Sequence, residues 1–180
     1  SYLSEKNTLS IKSIEEILGK IPEGKKGKFN KEFIEELYQE YQSHTIDDSS
    51  NIRILKEKLL NKKILIIAPG ASINEYENTI KEQQNLSDTI TIAVNFSPDN
   101  FQCNYLFISN EKRYNSLLKN INSQDKVPEF IITSNISRDV NGTKKFDYLS
   151  LINNTDDVRD NSTLMLLNLL VRLGIKEVYI

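Results

Sequence analysis

The stretch KKILIIAPGASINEYENTI, Lys62 to Ile80, decides the fold. An unbroken apolar run, Ile64–Ala68, is followed by a turn of small residues, Pro69–Ser72, and then by apolar residues at helical spacing. This order is typical of a buried parallel strand that leads through a tight turn into a helix. Such a turn places free backbone N–H groups beside the positive end of a helix dipole, where phosphate and other anions bind. We therefore expect a ligand at this turn.

The composition excludes several classes of protein. The chain has 180 residues, of which 38% are hydrophobic and 27% charged, with a formal net charge of −2. These values are typical of a globular domain and give no basic field for nucleic acid. No run reaches the ~18 apolar residues of a membrane span, and no signal peptide is apparent. We expect a cytoplasmic protein without nucleic-acid or membrane partners.

The chain contains one cysteine, Cys103, and one histidine, His44. A single cysteine cannot form an intrachain disulfide, and the distance in sequence between the two residues argues against a zinc site or a Cys–His dyad. The position of Cys103 before an apolar strand favours a partly buried, inert thiol over a nucleophile.

The distribution of apolar residues divides the chain into two parts. Residues 1–60 have a helical pattern, with predicted helices at 13–18, 30–44 and 52–60, whereas residues 61–180 alternate between strands and helices. The predicted strands are Ile64–Ala68, Thr89–Val94, Tyr105–Ser109, Phe130–Thr133, an edge strand at Tyr148–Ile152, and Val178–Ile180. The predicted helices between them are Glu75–Gln84, Lys112–Leu118 and Thr163–Leu173. This alternation predicts an α/β fold, a Rossmann-like three-layer sandwich with a mainly parallel sheet, preceded by a helical segment.

The ends of the chain suggest a piece of a longer protein. The sequence begins at Ser1 without a methionine and ends inside the apolar run Glu177–Ile180. We interpret residues 1–60 as a linker or docking segment from the tail of an upstream domain. We interpret residues 61–180 as a nucleotide-binding type of domain that is truncated at its C-terminus.

Small or amide side chains follow the predicted strands. Ligands of open parallel sheets bind outside the carboxyl ends of the strands, and neutral polar groups there can hydrogen-bond sugars, bases and phosphates. Each of these residues taken alone is also an ordinary turn or helix-capping residue. The candidate ligand-binding residues are Pro69, Gly70, Ala71, Ser72, Asn95, Asn110, Arg113, Ser134 and Ser162. Arg113 is either a phosphate ligand or an exposed residue at a helix start.

Signals for catalysis are few, and we assign no catalytic residue, metal ligand or cofactor within this chain. The motifs GxGxxG, GxxxxGK[ST] and GxSxG are absent, which disfavours dinucleotide binding, Walker-type ATP binding and hydrolase chemistry. The carboxylates of Asp156, Asp157 and Asp160 suit either Mg²⁺ or, as we prefer, a solvated acidic loop.

Dispersed residues along most of the chain form one recognisable pattern: Tyr2–Lys6, Leu9–Leu18, Ile21-Pro22, Leu37-Tyr38, Tyr41-Gln42, Asp47-Asp48 and the turn Ala68–Ser72. The pattern resembles the segment after the barrel, and the C-terminal extension, of bacterial aldolase-like proteins in the HMG-CoA lyase / 4-hydroxy-2-oxovalerate aldolase family. The resemblance implies that a catalytic barrel, with its divalent metal site, lies upstream in the parent protein, so none of the barrel's catalytic residues is carried over.

A second pattern combines the turn Ala68–Ser72 with Asn95 at the end of the next strand. It resembles bacterial sialyltransferases and motility-accessory-type glycosyltransferases, in which a GxGPS-like turn is followed by such an asparagine. Asn110 and Ser162 fall where similar polar positions occur. The chain departs from the pattern because Ala68 replaces the first glycine, Ala71 replaces the proline, and no histidine follows. The resemblance therefore implies nucleotide or nucleotide-sugar binding more than glycosyl transfer.

Three functions remain open at this stage. The leading hypothesis is a nucleotide- or nucleotide-sugar-binding C-terminal module of a larger aldolase-like carbon–carbon lyase, not catalytic alone. The alternatives are a glycosyltransferase of the sialyltransferase-like class and a non-catalytic interaction or oligomerisation module. The expected partners are the nucleotide or nucleotide sugar, the upstream catalytic domain of the same chain, and, as a possibility, further copies of the chain.

Overall fold

A sheet of six strands, all parallel, forms the centre of the described part of the chain. The computed structural model describes residues 19–27, 32–33, 36, 45–120, 128–138, 140, 142–152 and 161–180. The strands are β1 Lys63–Ile67, β2 Thr89–Val94, β3 Tyr105–Ile108, β4 Glu129–Thr133, β5 Lys144–Phe146 and β6 Val178–Tyr179. The helices are α1 Glu23–Lys26, α2 Ser49–Leu59, α3 Ser72–Glu75, α4 Glu77–Gln84, α5 Glu111–Asn120, α6 Tyr148–Leu151 and α7 Ser162–Leu173.

The spatial order of the strands is β5-β4-β3-β2-β1-β6. The chain therefore builds the sheet outward from β1 to β5, and then returns past α7 to place β6 on the opposite side of β1. The reversal of direction beside β1 is the arrangement of doubly wound folds, whose ligands bind at the carboxyl ends of the strands. The predicted α/β, Rossmann-like three-layer fold with a parallel sheet is confirmed.

Helices cover both faces of the sheet because alternate strand residues point to opposite sides. On one face, Leu55 and Leu59 of α2 pack with Leu166 of α7 over strand residues such as Ile66. All four side chains are almost completely removed from solvent, and burial of each stabilises the fold by about 1.5–3 kcal/mol. The segment 1–60 thus contributes α2 to the core of the α/β unit.

The opposite face carries a second core beneath α3, α4 and α5. Tyr114 of α5 is completely buried and packs edge-on against the ring of Phe130, at a centroid distance of 5.2 Å. Ile73 and Ile80 extend this core on the side of β1. The sheet is therefore held between two apolar layers, and the carboxyl ends of its strands remain accessible at one edge.

The prediction of an edge strand at Tyr148–Ile152 is wrong, because these residues begin with the short helix α6. Asp147 starts this helix, since its carboxylate accepts a hydrogen bond from Ser150 N (2.8 Å). The edge strand on this side is β5, which begins four residues before Tyr148, and its hydrophilic sequence KKF gave no apolar pattern.

A cluster of charges, formed by Lys58, Glu129 and Lys144, compensates for the buried lysine of β5 at the amino edge of the sheet. Lys144, only 9% exposed, donates to the carboxylate of Glu129, which also accepts from Lys58 Nζ (2.8 Å). Burial opposes ionisation of Glu129, but the two lysines outweigh it and hold the pKa of this carboxyl below its usual value.

A second polar network joins the start of α2 to the end of α7. Asp48 is 5% exposed and accepts two hydrogen bonds from the Arg172 guanidinium, at 2.8 and 3.1 Å. It also accepts from Asp147 N (3.0 Å), at the start of α6. These contacts fix α2 to the sheet independently of the apolar core.

The other predicted bounds that the structure describes agree with it to within three residues, apart from those of the helix predicted at Glu75–Gln84. That helix is split at Tyr76, where the backbone leaves helical geometry (φ −107°, ψ 20°) between α3 and α4. The helix predicted at 13–18, most of the helix at 30–44, and Asp156, Asp157 and Asp160 lie outside the described residues. None of the helices in the described ranges has the length and apolar character needed to cross a bilayer.

Candidate functional site

A cleft of about 290 Å³ opens at the carboxyl edge of the sheet, beside β2, β3 and β4. Most of its walls are polar, and the residues come from strand ends and from the starts of α5, α6 and α7. The lining residues are Asn95, Ser109, Asn110, Glu111, Arg113, Asn135, Tyr148, Ser162 and Met165. The cleft lies at the carboxyl edge, where open parallel sheets bind their ligands, but beside β2–β4 and not at the change of direction between β1 and β6.

Asn95 is the residue on which the floor of the cleft depends. It follows the last residue of β2 with a left-handed backbone (φ 60°), a conformation that asparagine tolerates better than most residues. Its N–H donates to Phe107 O (2.9 Å), which extends the pairing of β2 with β3 by one residue. The left-handed turn then directs the chain away from the sheet while the side chain stays at the edge.

The side chain of Asn95 connects two other elements. Its Nδ2 donates to Ser162 Oγ (2.5 Å), and its Oδ1 accepts from Ser109 N (3.1 Å). The hydroxyls of Ser109 and Ser162 also share a hydrogen bond of 2.6 Å, in which either oxygen can be the donor. The ends of β2 and β3 and the start of α7 are thereby held together by neutral groups.

The groups of Asn95, Ser109 and Ser162 form a polar floor to the cleft, and Asn135 extends this floor to β4. Its Nδ2 donates to Ser109 O (3.1 Å), and its Oδ1 accepts from Thr133 Oγ1 (2.5 Å). Because Thr133 is completely buried, Asn135 is held from below and across the neighbouring strand. The amide orientations of both asparagines follow from these partners.

Two of the three helices that begin at the cleft, α5 and α7, are each capped by an asparagine. Asn110 Oδ1 accepts from Arg113 N (3.0 Å) at the start of α5. Asn161 Oδ1 accepts from Thr163 N (2.9 Å) and Leu164 N (3.1 Å) at the start of α7. The partial positive charge of both helix starts therefore faces the same opening.

Two charged side chains, Glu111 and Arg113, stand at the rim, and both are exposed. Within the described ranges, no ion pair or side-chain hydrogen bond engages the guanidinium of Arg113. The floor is thus neutral and ordered, while the rim carries one unpaired cation.

The structure brings together four of the predicted ligand-binding residues: Asn95, Asn110, Arg113 and Ser162. Ser134 does not line the cleft, since it is buried and its hydroxyl accepts from Tyr148 N (2.9 Å). Ser109 and Asn135, which also end predicted strands, are equal members of the polar floor although the prediction did not include them as site residues. Tyr148 and Met165 carry no signal in the sequence for such a position.

The turn Pro69–Ser72 lies at the same edge of the sheet but outside this cleft. The register pairs Ile67 with Ala93, so Pro69 lies level with Asn95 on the neighbouring strand. All four residues of the turn are exposed, and the helix that directly follows, α3, has only four residues. The helix dipole expected at this turn is therefore much weaker than the sequence suggested, because the dipole requires aligned peptides over a longer helix.

The described residues contain neither a metal-binding cluster nor a reactive thiol. They contain no group of three or more His, Cys, Asp or Glu residues that could hold a metal ion. Cys103 is half-buried, and burial raises the pKa of its thiol to about 12 despite a backbone hydrogen bond that favours the thiolate, so it is a poor nucleophile.

A larger cavity, about 930 Å³, opens towards the amino edge of the sheet. Its central amide, that of Gln84, is already engaged, since Nε2 donates to Thr91 Oγ1 (3.0 Å) and to Gln102 O (2.6 Å). The amide nitrogen of Gln84 is therefore not free to bind a ligand in this cavity.

No protein-family model matches the chain, and no curated protein or solved structure matches it at a significant level. Function is therefore inferred from the residues that line the cleft.

Proposed function

We propose that this chain is a nucleotide- or nucleotide-sugar-binding module. The observation that carries the proposal is the convergence of Asn95, Ser109, Asn135 and Ser162 beneath one cleft at the carboxyl edge of a parallel sheet. This is the edge where sheets of this class hold nucleotides.

The chemistry of the floor supports this class of ligand. Hydroxyl and amide groups both donate and accept hydrogen bonds, so they match sugar hydroxyls, base heteroatoms and phosphate oxygens without carrying a charge. The cleft volume of about 290 Å³ suits part of a nucleotide, with the remainder extending along the open edge towards the turn after β1.

The resemblance to the C-terminal extension of aldolase-like proteins supports a place for this module in a larger carbon–carbon lyase. In that arrangement the module would bind a nucleotide or nucleotide sugar while an upstream barrel carries out the chemistry. The charge-neutral floor agrees with a binding role, because it contains no group placed as a general acid or base.

Isothermal titration calorimetry with CMP, UDP and ATP tests the proposal. We expect the protein to bind at least one of them with a dissociation constant below 1 mM, a limit of about −4.1 kcal/mol. Ser162→Ala should weaken that binding by about tenfold, because it removes a hydroxyl from the polar floor. Ser116→Ala, an exposed serine on the outer side of α5, is the matched control and should bind normally. Absence of binding for all three nucleotides at millimolar concentration would overturn the proposal.

A glycosyltransferase of the sialyltransferase-like class is the second candidate. It is favoured by one observation: Asn95 lies level with the turn after β1, so the two parts of the resembling motif are neighbours on adjacent strands. A donor-hydrolysis assay with CMP- and UDP-sugars on the full-length protein separates the candidates. Turnover that is abolished by Asn95→Ala, but not by substitutions in an upstream barrel, would favour the glycosyltransferase.

A further inference from the structure

We infer that the cleft takes the phosphate-bearing end of the ligand, with the Arg113 guanidinium as its cationic contact, and that the turn after β1 does not. This inference rests on the proposed function and gives the bound nucleotide a direction. The phosphate would lie between the starts of α5 and α7, and the sugar or base would extend over the open edge of the sheet.

The placement of Arg113 is the first support. Its N–H donates to Asn110 Oδ1, so the residue lies in the first turn of α5, where a positive side chain is disfavoured by the helix dipole. Within the described ranges its guanidinium has no anionic partner. A bound phosphate would relieve this unfavourable arrangement and could accept two parallel hydrogen bonds from the guanidinium.

A count of protons in the polar floor is the second support. Ser162 Oγ already accepts from Asn95 Nδ2, and the Ser109–Ser162 contact uses only one of the two hydroxyl protons. The other proton has no partner in this trio. One hydroxyl is therefore left as a donor to the cleft, which suits a ligand oxygen that only accepts, such as a phosphate oxygen.

Glu111 is the one carboxylate among the described lining residues, and it works against an anion. It precedes Arg113 by two positions on α5, and side chains two positions apart do not face each other on a helix. The carboxylate therefore does not neutralise the guanidinium. Its removal should strengthen phosphate binding, which is the opposite of the effect expected for removal of the Arg113 charge.

The turn Pro69–Ser72 is a weaker site for phosphate than the cleft. Its helix has only four residues, and it offers a phosphate no side-chain cation. Its position level with Asn95 suits contact with a neutral part of the ligand.

The test measures calorimetric binding of a nucleoside, its monophosphate and its diphosphate, with inorganic pyrophosphate as a probe that lacks the nucleoside. Arg113→Gln should reduce the affinity for the phosphorylated forms and pyrophosphate by about tenfold, while nucleoside binding changes little. Lys112→Gln removes the same charge one residue earlier, on the outer surface of α5, and should behave as wild type. Glu111→Gln should tighten phosphate binding a few-fold, and Ser72→Ala should leave the preference for the phosphorylated forms over the nucleoside unchanged.

The outcomes separate the two ideas. Nucleotide binding that is equally sensitive to Arg113→Gln and Lys112→Gln, or that loses its phosphate dependence in Ser72→Ala, overturns the inference and leaves the proposed function in place. Pyrophosphate binding that depends on Arg113, without any nucleotide preference, supports the inference and counts against the proposed function. Absence of binding for every phosphate species overturns both.

Discussion

Replacement of Asn95 tests whether one asparagine holds the floor of the cleft together. The residue combines a left-handed backbone (φ 60°) with two side-chain hydrogen bonds, to Ser162 Oγ and from Ser109 N. Alanine removes the bonds and opposes the backbone conformation, glycine removes only the bonds, and aspartate keeps both contacts if Ser162 donates its own proton. The three variants therefore separate the backbone contribution from that of the side chain.

The expected losses follow from the geometry. Each hydrogen bond contributes about 1 kcal/mol net, and a left-handed backbone costs alanine about 1–2 kcal/mol. Glycine avoids that cost but adds about 0.5 kcal/mol through the greater entropy of its unfolded chain. We expect the free energy of unfolding to fall by about 3.5 kcal/mol in Asn95→Ala, about 2.5 in Asn95→Gly and about 1 or less in Asn95→Asp.

Urea unfolding followed by circular dichroism, with linear extrapolation at equal slopes, gives these free energies. Phosphate binding adds a second readout, because Asn95→Asp should stay folded yet repel anions through its new charge. Equal stability of the alanine and glycine variants would refute the backbone argument. A loss below about 1 kcal/mol in both would refute the assignment of the hydrogen bonds, since together they should contribute about 2 kcal/mol.

Three further predictions concern the core and the titratable groups. Leu59→Ala should lower the free energy of unfolding by about 2–5 kcal/mol in urea, whereas Leu60→Ala, at a residue 46% exposed, should lower it by less than about 1. Cys103, whose thiol pKa is raised to about 12 by burial, should react with a disulfide reagent at pH 8 much more slowly in the native protein than in urea; equal rates would contradict its burial. Burial alone would raise the pKa of Glu129, but Lys58 and Lys144 hold it below its usual value. The contribution of Glu129 to stability is therefore present above pH ~5 and is lost as the pH falls through the lowered pKa. Glu129→Gln should flatten the acid branch of the stability curve, and the exposed Glu82→Gln should not.

The strands of the sheet were predictable because burial on both faces leaves a continuous apolar run. Thr89–Val94 agrees with the structure at both ends, and the run after Lys62 defines β1 to within one residue. The edge strand β5 was not predictable from this signal, since its Lys144 is buried in an ion pair with Glu129, a residue of the neighbouring strand 15 positions earlier. Apolar runs of four or five residues, such as Tyr148–Ile152, do not distinguish a buried strand from a short helix. There, Asp147 three residues before Ser150 was the available sign of a helix start.

The sequence predicted where the candidate site lies better than it predicted which residues line it. The rule that ligands bind after parallel strands led to Asn95, Asn110 and Ser162, which do line one cleft. Ser134 ends a strand equally well, but it faces Tyr148 N in the interior because the chain turns into α6 at that point. The weight given to the turn after β1 was too high, since the break at Tyr76 that shortens its helix has no clear signature in the sequence.

The hydrogen bonds of the polar floor join residues that are 67, 53 and 26 positions apart in the chain. The complete donor–acceptor arrangement therefore exists only when the whole domain is folded, and a short peptide cannot reproduce it. A ligand that engages it must raise the melting temperature, because a molecule that binds only the native state at 100 times its dissociation constant stabilises that state by about 2.7 kcal/mol. Thermal denaturation in the presence of a metabolite library can thus identify the natural ligand without any assumption about the reaction of the parent protein.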